Sequence, residues 1–275
     1  MMTQTFPPFS VLMSVYAKDR PAWIKQALDS VLNNTIRPAE VVIMVDGPVR
    51  KEIQDVLDEA AKNSIVRVLS HPVNIGRGAA LAIAVPQCQN ELIALMDADD
   101  ISRLNRFEKQ LAVFAVSADL AVVGGQVQEL EAETLSPFAQ RWVPLTNDEI
   151  RTYLKSRMPF NNPTVMFRKS AILHSGNFQP LNLMEDYYMW ARVAAKGYQM
   201  ANVPDILVDM RVNAALYGRR GGWQYFIMNK KVFEKMRQLG LVNTWEYYYI
   251  LSVRFVVQVL MPNWLRGWFY RRVLR

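Results

Sequence analysis

The chain has 275 residues, 51% of them hydrophobic, with 12 glycines and 14 prolines, which excludes a disordered chain and allows one large core with an appendage. Its single cysteine, Cys88, excludes an internal disulfide framework, and two histidines, His71 and His174, leave no Cys/His set for structural zinc, so a reducing compartment fits. The net charge is +7, but residues 247–275 hold five arginines and no acid, which leaves +2 for the rest and argues against a general nucleic-acid-binding surface. The opening MMTQTFPPFS has neither a basic nor an apolar leader segment, so the body is expected to be cytoplasmic.

Residues 9–15 (FSVLMSV) read as a buried strand, followed by Tyr16, a polar turn with Pro21 and a helix over 22–33. A second strand over 40–45 (EVVIMV) stops at the turn signal Asp46-Gly47-Pro48, and a polar helix over 50–63 follows. A third strand spans 65–69, then a loop over 71–78 carries Asn74-Ile75-Gly76-Arg77-Gly78, and 79–85 is helical. The fourth strand, 92–96, ends in Asp97, Ala98, Asp99 and Asp100. Strands alternating with helices predict an α/β fold with a doubly wound, mostly parallel sheet. In such sheets ligands bind outside the carboxyl ends of the strands, so Tyr16, Asp46, the 74–78 loop and Asp97–Asp100 are expected to converge on one crevice.

Three acids within four residues repel one another unless a cation or hydrogen-bond donors sit among them, and a hard divalent metal prefers carboxylate oxygens. Helix capping by Asp99 or Asp100 accounts for one acid, not three. The Gly76–Gly78 pair lacks the third glycine of a dinucleotide-binding turn, since position 81 is Leu81, and no GxSxG is present, so dehydrogenase and serine-hydrolase chemistry lack their local signs.

A short strand over 120–125 opens the second half, and Thr146-Asn-Asp-Glu149 is a capping-box pattern for a helix over 147–157. Residues 162–167 read as a loop entering a strand, and 169–175 as a short helix stopped by Gly176. A longer helix opens at Met184-Glu185-Asp186, where acids favour the dipole or hold a general base, and its aromatics Tyr187, Tyr188 and Trp190 either face a sugar or pack in a core. Short strands over 200–203 and 206–210 lead to Arg211. Beyond a Gly/Arg-rich loop come helices over 223–239 and, capped by Thr244, over 244–261, the latter too short to span a bilayer. Residues 263–275 mix aromatics with four arginines, which suits an interfacial membrane anchor over 244–275. The other reading is an amphipathic helix that closes over the core or pairs with a second copy as a homodimer.

The ordered set of motifs over about residues 8–213 resembles family 2 glycosyltransferases of the GT-A fold, of the type that assembles bacterial capsule, exopolysaccharide or O-antigen. The resemblance implies a doubly wound, mostly parallel GT-A sheet over 1–212, with a nucleotide-sugar half to about residue 115, an acceptor half over 116–212 and a helical extension over 213–275. It implies donor-nucleotide contacts from Val15 and Tyr16, from Asp46 to the base's ring N–H, from Asn74, Gly76 and Arg77, and from Asp97 and Ala98. Asp99 would hold the metal, Mn2+ or Mg2+, in the DxD pattern; Asp186 would be the catalytic base of the ED pattern, with Glu185 beside it; and Arg219 and Arg220 would reach the diphosphate. Two departures stand out: a lone Asp46 before Gly47-Pro48 where relatives often have a doubled aspartate, and Ala82 where an asparagine is common.

The implied reaction is an inverting transfer from a nucleotide-diphosphate sugar, with UDP favoured, to a hydroxyl of a polyprenyl-diphosphate-linked saccharide at the cytoplasmic face of the membrane. The alternatives are a catalytically silent, membrane-associated nucleotide-sugar-binding or assembly protein, and a nucleotidyltransferase.

Overall fold

The computed structural model describes residues 6–181, 183–212 and 221–261. The first half alternates as expected: β1 (Phe9–Tyr16), α1 (Pro21–Leu32), β2 (Glu40–Asp46), α2 (Lys51–Ala60), β3 (Val66–His71), α3 (Arg77–Ala84) and β4 (Leu92–Asp97). β5 (Ile101–Ser102), α4 (Arg106–Val116), β6 (Leu120–Glu131), β7 (Pro137–Arg141), α5 (Asn147–Leu154), β8 (Met166–Arg168), α6 (Lys169–His174), α7 (Glu185–Ala195) and β9 (Gln199–Val212) follow. The strands form one sheet in the order β3-β2-β1-β4-β8-β6-β9-β5, with β7 on β6. β3, β2, β1 and β4 are parallel, and β6 and β9 are parallel to each other, while β8, β5 and β7 run antiparallel to their neighbours.

Both faces of this sheet are covered, which is why β1, β2 and β4 are near-continuous apolar runs instead of alternating ones. Successive residues point to opposite faces, so Val11, Met13 and Val15 pack with α1, α2 and α4, whereas Leu12, Val42, Met44 and Leu95 pack with α3 and α7. α1 starts on Pro21, whose missing N–H would have no helical partner anyway. The capping box at Thr146 forms as the pattern predicts.

Three elements differ from the sequence reading. The 120–125 strand continues to Glu131, because Gly124 and Gly125 are no stop: a Cβ on Gly124 would lie 2.2 Å from Asn202 Oδ1 and 2.8 Å from Phe160, so they permit close packing inside the sheet. The two short strands near 200 and 206 are one, β9; its register against β6 shifts between Gly124 and Gln126, and Pro204 falls in that bulge, where its missing N–H breaks no ladder bond. The last helix is capped by Asn243, not Thr244, in a capping box with Glu246.

That helix, α9 (Thr244–Phe255), runs into a π turn at Val256–Leu260, and α8 (Trp223–Gln238) precedes it. Val232, Phe233 and Met236 of α8 join the same core as α7, with Phe233 edge-on to Tyr187 at 5.8 Å. α9 leaves Trp245, Tyr248, Tyr249 and Val253 exposed. Among the described residues no helix is long and apolar enough to cross a membrane. The basic-aromatic segment 263–275 and the Arg219-Arg220 pair lie outside the described residues.

A buried polar tie joins the halves: Gln110 of α4 donates to the carbonyls of Val123 and Thr164, both at 2.8 Å, and accepts from Arg106 at 3.1 Å. Gln110→Leu should orphan these groups and cost about 1–3 kcal/mol, read as a lower urea midpoint at unchanged m-value.

Candidate active site

Parallel pairing sets Tyr16 beside Asp46 and Ser14 beside Asp97, so the ends of β1, β2 and β4 open on one edge of the sheet. The Asp46 carboxylate is buried there and accepts the backbone N–H groups of Ile75 at 2.7 Å and Gly76 at 2.9 Å, while the Asn74 amide donates to the Asp46 carbonyl at 3.0 Å. Asp46 therefore holds the 74–76 loop in place, and each oxygen keeps one lone pair for another donor. Val15 buries its side chain in the core and Ala98 is buried too, whereas Tyr16 is exposed.

Asp97, Asp99 and Asp100 part in role. Asp100 is buried, and its carboxylate accepts the backbone N–H of Arg211 at 2.9 Å, so it ties β9 to the turn and does not cap α4, whose cap position is Asn105. The Arg211 guanidinium donates to the Asp99 carbonyl and to Gln26, and it lies 5.1 Å from the Trp23 ring. Burial, with Asp97 adding to it, pushes the Asp99 carboxyl up to about 6. One member escaped the sequence reading: Asp19, in the turn after β1, accepts the Tyr16 N–H at 2.8 Å, and burial reinforced by Asp99 and Asp97 pushes it up to about 7. Its only sequence signal is an acid in the polar turn after the first strand.

Among the described residues no three His, Cys, Asp or Glu side chains form a ready-made metal site. The donor set nevertheless fits a hard divalent ion: Asp99 offers hard oxygens destabilised by Asp97, and such ions complete their shell with phosphate oxygens and water.

Asp186 enters from the first turn of α7, only 7% exposed. Its Oδ2 accepts Nη1 of Arg77 at 2.6 Å and Nδ2 of Asn162; Oδ1 is buried and has no hydrogen-bond partner. Nη2 of the same Arg77 donates to Asp97 Oδ1 at 2.9 Å, so one guanidinium spans both acidic motifs. Trp190 Nε1 donates to Asn162 Oδ1 at 3.1 Å. Burial raises the Asp186 carboxyl to about 6, against the lowering by Arg77 and with the help of Glu185 and Asp97. Burial disfavours the charge on Arg77, but Asp186, Asp97 and Glu185 outweigh it and raise the guanidinium above the ordinary arginine value.

Glu185 is half-buried beside α3: a Cβ on Gly78 would meet Glu185 Cβ at 2.9 Å, so glycine lets the two helix starts touch. Tyr187 and Trp190 pack in the core, and Tyr188 lies under Arg192 and Lys235 at 4.6 and 4.9 Å. Of the expected residues, the structure thus gathers Tyr16, Asp46, Asn74, Gly76, Arg77, Asp97, Asp99, Glu185 and Asp186 near the carboxyl ends of β1, β2 and β4.

A mixed sheet of this order with acids at the ends of β2 and β4 and a carboxylate at the start of α7 defines a GT-A nucleotide-diphospho-sugar transferase fold. The chain belongs to glycosyl transferase family 2, whose profile matches residues 10–176. It is 34% identical over 274 residues to the UDP-Gal:alpha-D-GlcNAc-diphosphoundecaprenol beta-1,3-galactosyltransferase of Escherichia coli, covering 100% of this chain and 99% of that relative. It is 29% identical over 260 residues to the amylovoran biosynthesis glycosyltransferase AmsE of Erwinia amylovora, covering 94% and 97%. Among solved structures, S. aureus TarS 1-349 in complex with UDP superposes with a TM-score of 0.66 at 15% identity, over 97% of this chain and 75% of that one. A mannosyltransferase from Pyrobaculum calidifontis in complex with GDP-Man and Mn2+ gives 0.61 at 15% identity, over 95% and 72%. These two likenesses establish the fold.

Asp46→Ala should free the amides of Ile75 and Gly76 and loosen the loop. Hydrogen exchange of the Ile75 and Gly76 amides should speed up about tenfold, which is roughly 1.4 kcal/mol of lost protection.

Proposed function

We propose that the chain is an inverting, metal-dependent glycosyltransferase that moves a sugar from a UDP-sugar to a hydroxyl of a polyprenyl-diphosphate-linked saccharide. The observation that supports this reading is that one arginine, Arg77, bridges two acidic groups, Asp97 at the end of β4 and the largely buried Asp186 at the start of α7. The full-length similarity to a galactosyltransferase named for UDP-Gal and a diphosphoundecaprenol acceptor supports the donor and acceptor classes.

The chemistry needs two sites. A sugar leaves its nucleotide only if charge growing on the departing diphosphate is offset, and a divalent metal held by Asp99 would supply that offset. An alcohol is a poor nucleophile at neutral pH, so Asp186 accepts its proton as oxygen attacks the anomeric carbon from the face opposite the diphosphate. The C–O bond to the acceptor forms as the bond to the diphosphate breaks, and the anomeric centre inverts. Asp46 and the 74–76 loop bind the nucleotide, with Tyr16 at the edge, and Glu185 orients Asp186 or meets acceptor hydroxyls. The exposed Trp245, Tyr248 and Tyr249 of α9, together with the arginines of 262–275, would rest at the cytoplasmic face of an anionic membrane where such an acceptor is presented.

A panel of nucleotide sugars with manganese and a lipid-linked acceptor tests this. Release of nucleoside diphosphate with acceptor glycosylation is expected; pyrophosphate release would mark a nucleotidyltransferase, and binding without release a silent binding protein. Asp186→Asn should lower transfer by about 10² to 10⁴ while donor binding persists, and Asp99→Ala should lose metal-dependent donor binding. The base works as carboxylate, so with its carboxyl near 6 the rate should climb with pH through that value and flatten above it.

A further inference from the structure

Asp186 stands among groups from four elements: Arg77 of α3, Asp97 of β4, Asn162 of the 3-10 turn before β8, and Glu185 on its own helix. Its two oxygens are treated very differently. Oδ2 is gripped from two sides, by Arg77 and by Asn162, and Asn162 is itself fixed by Trp190, a fully buried indole wedged between Phe160 at 5.5 Å and Phe178 at 6.1 Å. Neighbouring Asn161 and Thr164 bond to Gly125 of β6 at 2.9 and 3.0 Å, so the turn that presents Asn162 is anchored in the sheet. Oδ1 has no partner and no contact with solvent. A buried carboxylate oxygen without a donor is costly, so the two donors on Oδ2 carry the hydrogen bonding that keeps this carboxylate in place.

Resting on the reading of Asp186 as the base, we infer that Arg77 and Asn162 are positioning residues that grip Oδ2 from two sides and so fix where, and in what plane, the carboxylate meets the acceptor's hydroxyl. The clamp performs a second service. A carboxylate free to turn would also activate water and hydrolyse the donor; one held in a single orientation serves the hydroxyl that the acceptor delivers. Because the other amino group of Arg77 holds Asp97, the base is aligned against the donor half of the crevice and not merely against its own helix. Gly78 lets α3 approach α7 closely enough for this reach.

The test compares wild type with Arg77→Met, Arg77→Lys and Asn162→Ala, with thermal melts confirming that each folds. Four quantities are read: kcat for transfer, donor KM, the ratio of donor hydrolysis to transfer, and the Asp186 titration by 13C-carboxyl NMR. Arg77→Met and Asn162→Ala should each cut kcat about 10- to 100-fold, the scale of a misaligned reacting group, with donor KM changed far less. Both should raise the hydrolysis-to-transfer ratio. Arg77→Met should also move the acid limb of the rate profile and the Asp186 titration to higher pH, because the charge that favours the carboxylate is gone, whereas Arg77→Lys keeps the charge without the fork and should move neither, yet still lose kcat. A rise in donor KM at unchanged kcat, hydrolysis ratio and acid limb would make Arg77 a donor contact and overturn the inference. If wild type transfers no sugar from any donor, the glycosyltransferase reading fails on its own, and an Asp186 titration unmoved in Arg77→Met still overturns the clamp.

Discussion

The molecule depends on one constraint: a crevice at the end of a low-dielectric sheet must hold several carboxylates that repel one another. Burial, reinforced by neighbouring carboxylates, pushes Asp19, Asp99 and Asp186 up to about 7, 6 and 6 and raises Asp100 as well. Two arginines carry the compensation. Arg77 bridges Asp97 and Asp186, and Arg211 offers its N–H to Asp100 and its guanidinium to the Asp99 carbonyl. The first lies at the start of α3 in the N-terminal half of the chain, the second near the end of β9 in the C-terminal half. Charge balance therefore stitches the two halves of the chain together.

The backbone serves the same arrangement. β8 lies between β4 and β6 and runs against both, so the C-terminal half is hydrogen-bonded to the N-terminal half through the centre of the sheet and not through a linker. α7 can then set its first turn against the first turn of α3. Two helix starts meeting there bring partial positive charge to the crevice, which lowers the cost of keeping Asp186 ionised without a proton or a metal of its own.

Much of this was legible from local pattern. Apolar runs ending in acids announced β2 and β4, the Thr146–Glu149 box announced α5, and the shared carboxyl edge predicted that Asp46, residues 74–78 and Asp97 would meet. What was not legible is what only distant neighbours decide. Gly124 and Gly125 look like a stop until Asn202 and Leu207 are seen against them; Asp100 looks like a cap until Arg211, more than a hundred residues later, claims it. Tyr187 and Trp190 have the composition of a sugar platform, yet helical spacing sends them inward, and Trp190 acts on the site only through Asn162. Arg77 reads as a loop residue near phosphate because nothing in its own segment points to α7.

The protonation of the crevice has a consequence for how it fills. Asp99 and Asp19, near 6 and 7, are partly protonated around neutrality, and a divalent ion must displace those protons to bind oxygen. Acid should therefore protonate Asp99 and Asp186 over the same range. The two sites share a titration window because they share a cause: both carboxylates are buried, and Asp97 raises both. Asp186 differs in having Arg77 and Asn162 on its oxygen, two donors that favour its carboxylate against the burial that raises it.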